Sequence, residues 1–308
     1  MTFRTGAASI VIPETYLAYA QSFRRELEAS NKSPNTIDVY LQAVNQFGAF
    51  LFEHGMPVDV AAITREHIQE FLTDLRRRLK PSSVNTRFRS LQQFFQWLVE
   101  EGEIPVTPMT RMKQPTFDVE PSDSLSDTQV QKLLKVCSGT DFTSRRDAAI
   151  IRLMYDTGLR RGEIAAMTVD DLDLDTRTIR VVGKGRKVRL QPFGNTVARD
   201  IDRYKRIRAR HPQAGLPYLW LGQAGSMTGS GVYQAIQRRG EQAGLGKIHP
   251  HQLRHAFAHS LKSGGASDDD LMRLGGWSSR QMITRYGAAQ ADDRARETHR
   301  RLSPGDRL

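Results

Sequence analysis

The sequence predicts a mainly α-helical protein with a small β-sheet or hairpin, divided into an N-terminal helical domain and a C-terminal α+β domain. Three observations carry that expectation. Apolar residues recur at helical spacing through the first hundred positions, four prolines then fall within seventeen residues, and the clearest β-like segment flanks a glycine-bearing turn near residue 184. At 308 residues and 39% hydrophobic content the chain can build two packed cores.

The first domain is expected over residues 13–104. Tyr16, Phe23 and Leu27 mark a first helix. In "SPNTIDVYLQAVNQFGAFLFEHG" Ser33 can cap and Pro34 fits the first turn, while Ile37, Leu41, Val44, Phe47 and Leu51 share a face and Gly55 ends the run. "ITREHIQEFLTDLRRRL" and "SSVNTRFRSLQQFFQWLVEEG" repeat the pattern, which makes a four-helix domain. Its cations cluster: Arg76, Arg77, Arg78 and Lys80 close one helix, and Arg87 and Arg89 open the next. Cations at a helix C-terminus complement its dipole, and the same residues can contact phosphate, so both readings stand.

Pro105, Pro108, Pro115 and Pro121, with Arg111 and Lys113 among them, preclude one continuous helix or strand, and 105–124 reads as an interdomain linker. The second domain follows over 125–308. Ser126 and Gln129 form a capping-box pattern, "RRDAAIIRLMYDTG" is a buried helix ending at Gly158, and "TIRVVGKGRKVRLQPF" reads as a hairpin. From about residue 195 the signals are helical again.

Lys and Arg number 45 against 34 Asp and Glu, a formal charge of +11. Such an excess fits a polyphosphate partner, which makes nucleic acid the leading ligand class. The N-terminal stretch has no export pattern, no apolar run approaches the ~18 residues that cross a bilayer, and a single cysteine, Cys137, fits a reducing cytoplasm.

Several chemistries fail on spacing. His251 and His255 sit i, i+4, but Gln252 stands where a zinc protease carries its glutamate. Asp171, Asp173 and Asp175 resemble a calcium loop, yet Thr176 replaces its glycine and Val182 its bidentate glutamate. "GEQAGLGKI" departs from the P-loop at both ends. No metal and no nucleotide cofactor is expected. What remains is a set of cations beside turns and histidines: Arg160 at a helix junction, Lys184 at the hairpin tip, and His251 with Arg254 one helical turn apart. Two guanidinium forks can neutralise one phosphate, a turn lysine can protonate a leaving oxygen, and a histidine can exchange a proton with a nucleophile such as the Tyr286 phenol.

"TGLRRGEIAAM", "GKGRKVRLQPF", "HPHQLRHAFAHSL" and "RLGGWSSRQMITRYG", in that order, resemble the four catalytic boxes of the tyrosine site-specific recombinases of phage-integrase, Cre and Xer type. The likeness covers the second domain, and "SPNTIDVYLQAVNQFGAFL" is similar to the start of that family's core-binding domain. The resemblance implies a simple two-domain form, a helical core-binding domain followed by an α+β catalytic domain. It makes Arg160 and Arg254 the phosphate clamp, Glu163 the support of the first arginine, Lys184 the general acid, His251 the proton-exchanging histidine and Tyr286 the nucleophile, nine positions after Trp277. Trp277 departs from much of the family, which has histidine there, and an indole cannot transfer a proton at neutral pH.

The activity so implied is DNA strand cleavage and rejoining through a 3′-phosphotyrosine, independent of metal and ATP, by a homotetramer on two duplexes with room for accessory DNA-bending or directionality factors. A phage or plasmid integrase is favoured by Trp277 and by the tail "ADDRARETHRRLSPGDRL", with a Xer-type dimer resolvase as the alternative. A type IB topoisomerase and a non-enzymatic DNA-binding regulator are the rivals from other classes. Arg76, Arg77, Arg78, Lys80, Arg87, Arg89, Arg111 and Lys113 are the candidate DNA contacts.

Overall fold

The computed structural model describes residues 2–4, 9–11, 13–115, 124–183, 188–277, 279–280, 283, 296 and 299–307, in two compact units that divide between residues 118 and 119. The first unit opens on two short antiparallel strands, β1 (Thr2–Arg4) and β2 (Ser9–Val11), which the apolar periodicity does not foretell. Four helices follow: α1 (Glu14–Ala29), α2 (Pro34–Glu53), α3 (Arg65–Arg78) and α4 (Pro81–Glu100). Ser33 caps α2 by accepting from the Thr36 N–H at 3.2 Å with Pro34 in the first turn, and Gly55, at φ +64°, lies just past its end.

The apolar stripes of these helices meet in an aromatic core. Phe23 stands edge-on to Phe94 at 5.4 Å and Phe47 edge-on to Phe95 at 6.1 Å, the geometry that ring quadrupoles favour. Ile104 and Met109 are buried in the same core. Asn85 of α4 donates to the Pro115 carbonyl at 2.7 Å and accepts from Gln114 Nε2 at 3.0 Å. The proline-rich stretch therefore begins as part of this unit's packed surface; residues 116–123 lie outside the described residues.

The second unit is built around α6 (Phe142–Thr157), which packs against α5 (Asp127–Lys135), α8 (Asn195–Arg208), α9 (Gly229–Gln242) and α10 (Pro250–Ser263). The short α7 (Arg161–Ala166) follows α6, and α11 (Asp268–Gly275) follows α10. Ser126 and Gln129 form the capping box at the start of α5. A buried carboxylate fastens this bundle. Asp147 accepts from Arg146 Nε at 3.0 Å and Nη2 at 2.8 Å through one oxygen, and from Arg239 Nε at 2.9 Å and Arg238 Nη2 at 3.4 Å through the other. Arg239 of α9 also reaches the Val136 carbonyl at the end of α5. Buried charges persist only when so paired and hydrogen-bonded.

One three-stranded antiparallel sheet, in the order β3 (Leu172–Asp173), β4 (Thr178–Val182), β5 (Val188–Pro192), belongs to this unit. The sequence pattern foretells β4 and β5 only. β3 lies in the aspartate run, where Asp173 accepts the backbone N–H groups of Asp175 and Thr176 and Asp171 pairs with Arg180 at 2.6 Å, so these carboxylates serve a turn and an ion pair. β5 is inverted: Val188 and Leu190 are 58% and 69% exposed, while Arg189 and Gln191 turn inward. No helix among the described residues is long and apolar enough to cross a membrane.

Candidate active site

Helix α6 stops because Gly158 adopts the left-handed conformation, φ +62°, at its C-cap. A Cβ there would also lie 2.2 Å from Phe257 Cδ1, so a side chain is excluded twice. The turn delivers Arg160 to the N-cap of α7. Its backbone N–H donates to Glu163 Oε2 at 2.8 Å, its Nη1 to Glu163 Oε1 at 3.1 Å, and its Nη2 to the Gly276 carbonyl at 3.0 Å.

Helix α10 contributes His251 and Arg254, whose i, i+3 spacing places them on one side. Arg254 is 2% exposed. Its Nη1 donates to the Gly158 carbonyl, its Nη2 to the Gly275 carbonyl at 2.7 Å, and its guanidinium lies 4.1 Å from the centre of the Trp277 ring. Gly158 and Gly275 close α6 and α11, and Gly276, at φ +61°, caps α11. Terminal carbonyls of a helix lack intrahelical partners and carry the negative end of its dipole, so both arginines are held by groups suited to cations. At Gly275 a Cβ would fall 1.8 Å from Trp277 Cζ3, so the indole needs the bare backbone there to lie beneath Arg254.

The charges are set by the same packing. Burial pushes the Glu163 carboxyl up, but Arg189, the Arg160 N–H and the two guanidinium charges outweigh it and hold the pKa below the ordinary value. Glu163 is therefore an anion between two cations. Partial burial of the ring and the Arg254 and Arg160 charges lower the His251 pKa, and His255, edge-on to it at 4.4 Å, is pushed down to about 4 by burial, His251 and Arg254. Neutral at pH 7, His251 can accept a proton. Arg160, His251 and Arg254 border one pocket of about 340 Å³ with Arg161, Tyr233 and His249. His249 stacks on Tyr233 at 5.6 Å, and the Arg161 guanidinium stands 6.0 Å from the same ring.

The sequence pattern of the phage integrase family matches residues 123–293, and that of the phage integrase N-terminal SAM-like domain matches residues 20–102. The chain belongs to the phage integrase family. Among its relatives, the tyrosine recombinase XerC of Roseiflexus castenholzii is 33% identical over 254 residues, covering 79% of this chain and 80% of that protein. The tyrosine recombinase XerD of Listeria innocua is 29% identical over 278 residues, covering 87% and 94%. The crystal structure of the XerH site-specific recombinase bound to a palindromic difH substrate, a post-cleavage complex, aligns with a TM-score of 0.74 at 19% identity, covering 94% of this chain and 89% of that one, a likeness of fold.

Of the residues the family motifs single out, five come together: Arg160, Glu163, His251, Arg254 and Trp277. Lys184 and Tyr286 lie outside the described residues. Motif reading missed Arg189, which donates from Nη1 to Glu163 Oε1 and from Nη2 to Glu163 Oε2, both at 3.1 Å. The signal was present in "KVRLQPF", where a strand alternates apolar and polar residues, but it names no face.

The candidate DNA contacts of the first unit are scattered. Arg76, Arg77 and Arg78 are exposed in the last turn of α3, Arg78 paired with Asp74; Lys80, Arg89, Arg111 and Lys113 are also exposed. Arg87 is half-buried and donates its Nε to Gln46 of α2 at 2.7 Å. Two residues apart on a helix, Arg87 and Arg89 point about 200° apart, so they do not share one face.

Proposed function

We propose that this integrase-family chain is a site-specific DNA recombinase that cleaves and rejoins one strand at a time. The observation that supports this most is the pair of guanidinium groups, fixed by helix-end carbonyls on the border of one pocket beside a neutral histidine. In this reading Arg160 and Arg254 neutralise the non-bridging oxygens of the scissile phosphate as phosphorus becomes pentacovalent. The Tyr286 hydroxyl loses its proton to His251 and attacks phosphorus. The P–O5′ bond breaks, Lys184 gives a proton to the departing 5′-oxygen, and the 3′-phosphate stays on the tyrosine. A 5′-hydroxyl of the partner duplex then attacks that phosphotyrosine and releases the phenol, so no external energy source enters. Trp277, with its ring face against Arg254, serves as a platform for that arginine and not as a proton donor.

The partners in this reading are two double-stranded recombination sites held by a homotetramer in the cytoplasm, joined by accessory DNA-bending or directionality factors where the site requires them. The exposed cations of the first unit contribute phosphate contacts. The names XerC and XerD among the relatives favour a Xer-type recombinase as the second reading of the subtype. The test is a nicked suicide duplex carrying a half-site that the wild-type chain has selected from random-sequence DNA. The wild type forms a covalent adduct in EDTA, and Tyr286→Phe forms none while binding the duplex as tightly. Adduct in the mutant, or cleavage lost to EDTA and restored by magnesium, overturns the mechanism. Continued relaxation of a plasmid lacking any selected site would instead favour a topoisomerase.

A further inference from the structure

We propose that Arg189 is a positioning residue for strand cleavage, holding Glu163 in place and through it the Arg160 guanidinium; the inference rests on the clamp role proposed above for Arg160. Glu163 receives Arg189 side-on, each carboxylate oxygen taking one N–H at 3.1 Å, and passes the same two oxygens to the backbone and side chain of Arg160. The Glu163 side chain is 7% exposed and that of Arg189 20%, whereas Arg160 remains 43% exposed. The two inner members of the chain of charges are thus set in the protein, and its outer member faces solvent.

The strand itself carries the strongest sign. Shifting a strand by one residue exchanges its faces, so the inward face of β5 is a choice between Arg189 with Gln191 and Val188 with Leu190. Burying the apolar pair instead would take two hydrophobic side chains out of water, which the hydrophobic effect favours. β5 nevertheless leaves them exposed and turns Arg189 inward, while its neighbour β4 buries the apolar Ile179 and Val181. The Arg189–Glu163 pair is what this register gains.

The backbone at Gly276 agrees with this arrangement. Gly276 receives Arg160 through its carbonyl, and a Cβ on it would lie 3.1 Å from Arg189 Cζ. Arg189 thus lies against the same C-cap that orients Arg160, and Glu163 is enclosed by both cations. A lysine could keep the charge of Arg189 but not the two-pronged geometry.

The experiment is a double-mutant cycle on the full chain with the selected suicide duplex, measuring the single-turnover cleavage rate, duplex affinity and melting temperature for wild type, Arg189→Met, Arg189→Lys, Glu163→Gln and Arg189→Met/Glu163→Gln. Expected are a rate lowered about 10- to 100-fold by Arg189→Met, the scale of a misplaced catalytic group, an affinity within about twofold of wild type, partial recovery in Arg189→Lys, and a double mutant no slower than the slower single. Rate defects that multiply in full, or an unchanged rate in Arg189→Met, overturn the proposal. So does a rate loss in Arg189→Met and Arg189→Lys matched by an equal loss of folded protein. Arg160→Ala is the control: if it cleaves like wild type, the clamp reading has failed, whereas if it is inactive and Arg189→Met is normal, only the positioning role has.

Discussion

Replacing Asp147 by asparagine keeps the shape of the side chain and removes its charge, which isolates what that carboxylate does within the helical bundle. Asp147 is 1% exposed and faces two arginines that are themselves 5% and 7% exposed, Arg146 and Arg239. In Asp147→Asn both remain buried without a counter-charge, and breaking a buried pair by removing one partner costs about 3–5 kcal/mol. A domain is stable by only about 5–15 kcal/mol, so the loss is a large fraction of the total. For units of 150–250 residues each kcal/mol lowers Tm by about 2–4 °C, which places the expected drop at about 6–20 °C. Thermal and urea unfolding followed by circular dichroism measure it. Adding Arg239→Met, which leaves one buried arginine without a counter-charge where there were two, should restore part of the loss. A Tm within about 2 °C of wild type, or no recovery in the double mutant, would refute the view that this carboxylate is the anchor tying α6 to α9.

Gly276→Ala should destabilise α11's end by about 1–2 kcal/mol through its left-handed φ and slow cleavage by pressing on Arg189, while Gly276→Asn, which tolerates that φ, should melt closer to wild type; equal melting of the two variants would deny the backbone argument. His255 has a folded pKa of about 4, below the 6.5 of the unfolded chain, so the unfolded state binds the proton first and stability present above pH 6.5 should be lost as pH falls toward 4. Tm measured against pH should show that loss, and His255→Gln should flatten it. Neutralising Arg76 and Arg77 should flatten the slope of log affinity against log salt by about 0.9 each, whereas Arg87→Gln should leave the slope and lower Tm, since Arg87 is engaged with Gln46; a slope change for Arg87 alone would reverse the assignment.

The parts of this molecule legible in the sequence are those where one residue announces itself locally. Ser33 and Ser126 declare helix starts, Gly158 a helix end, and the apolar period the core of α1 to α4, because each depends on neighbours within one or two turns. The motif positions Arg160, His251 and Arg254 are legible as a set. What could not be read is whatever depends on distant chain. β3 forms only because the aspartate run meets β4, and Asp147 draws in Arg239 from 92 positions away. The inward face of β5 inverts the ordinary binary pattern because a buried glutamate on α7 awaits it, and nothing within "KVRLQPF" reports where Glu163 lies.

The carbonyls that orient the two arginines come from Gly158, Gly275 and Gly276, and the bonds that use them close loops of 96 and 116 residues as well as a shorter one of 21. A chain still on the ribosome with α10 already outside holds Arg160, Glu163, His251 and Arg254, yet Arg254 has no Gly275 carbonyl and Arg160 no Gly276 carbonyl to meet. Synthesis therefore supplies the cations first and their alignment last. Until α11 has emerged and docked, a nascent chain can be drawn to nucleic acid by its charge but lacks the geometry to cut it.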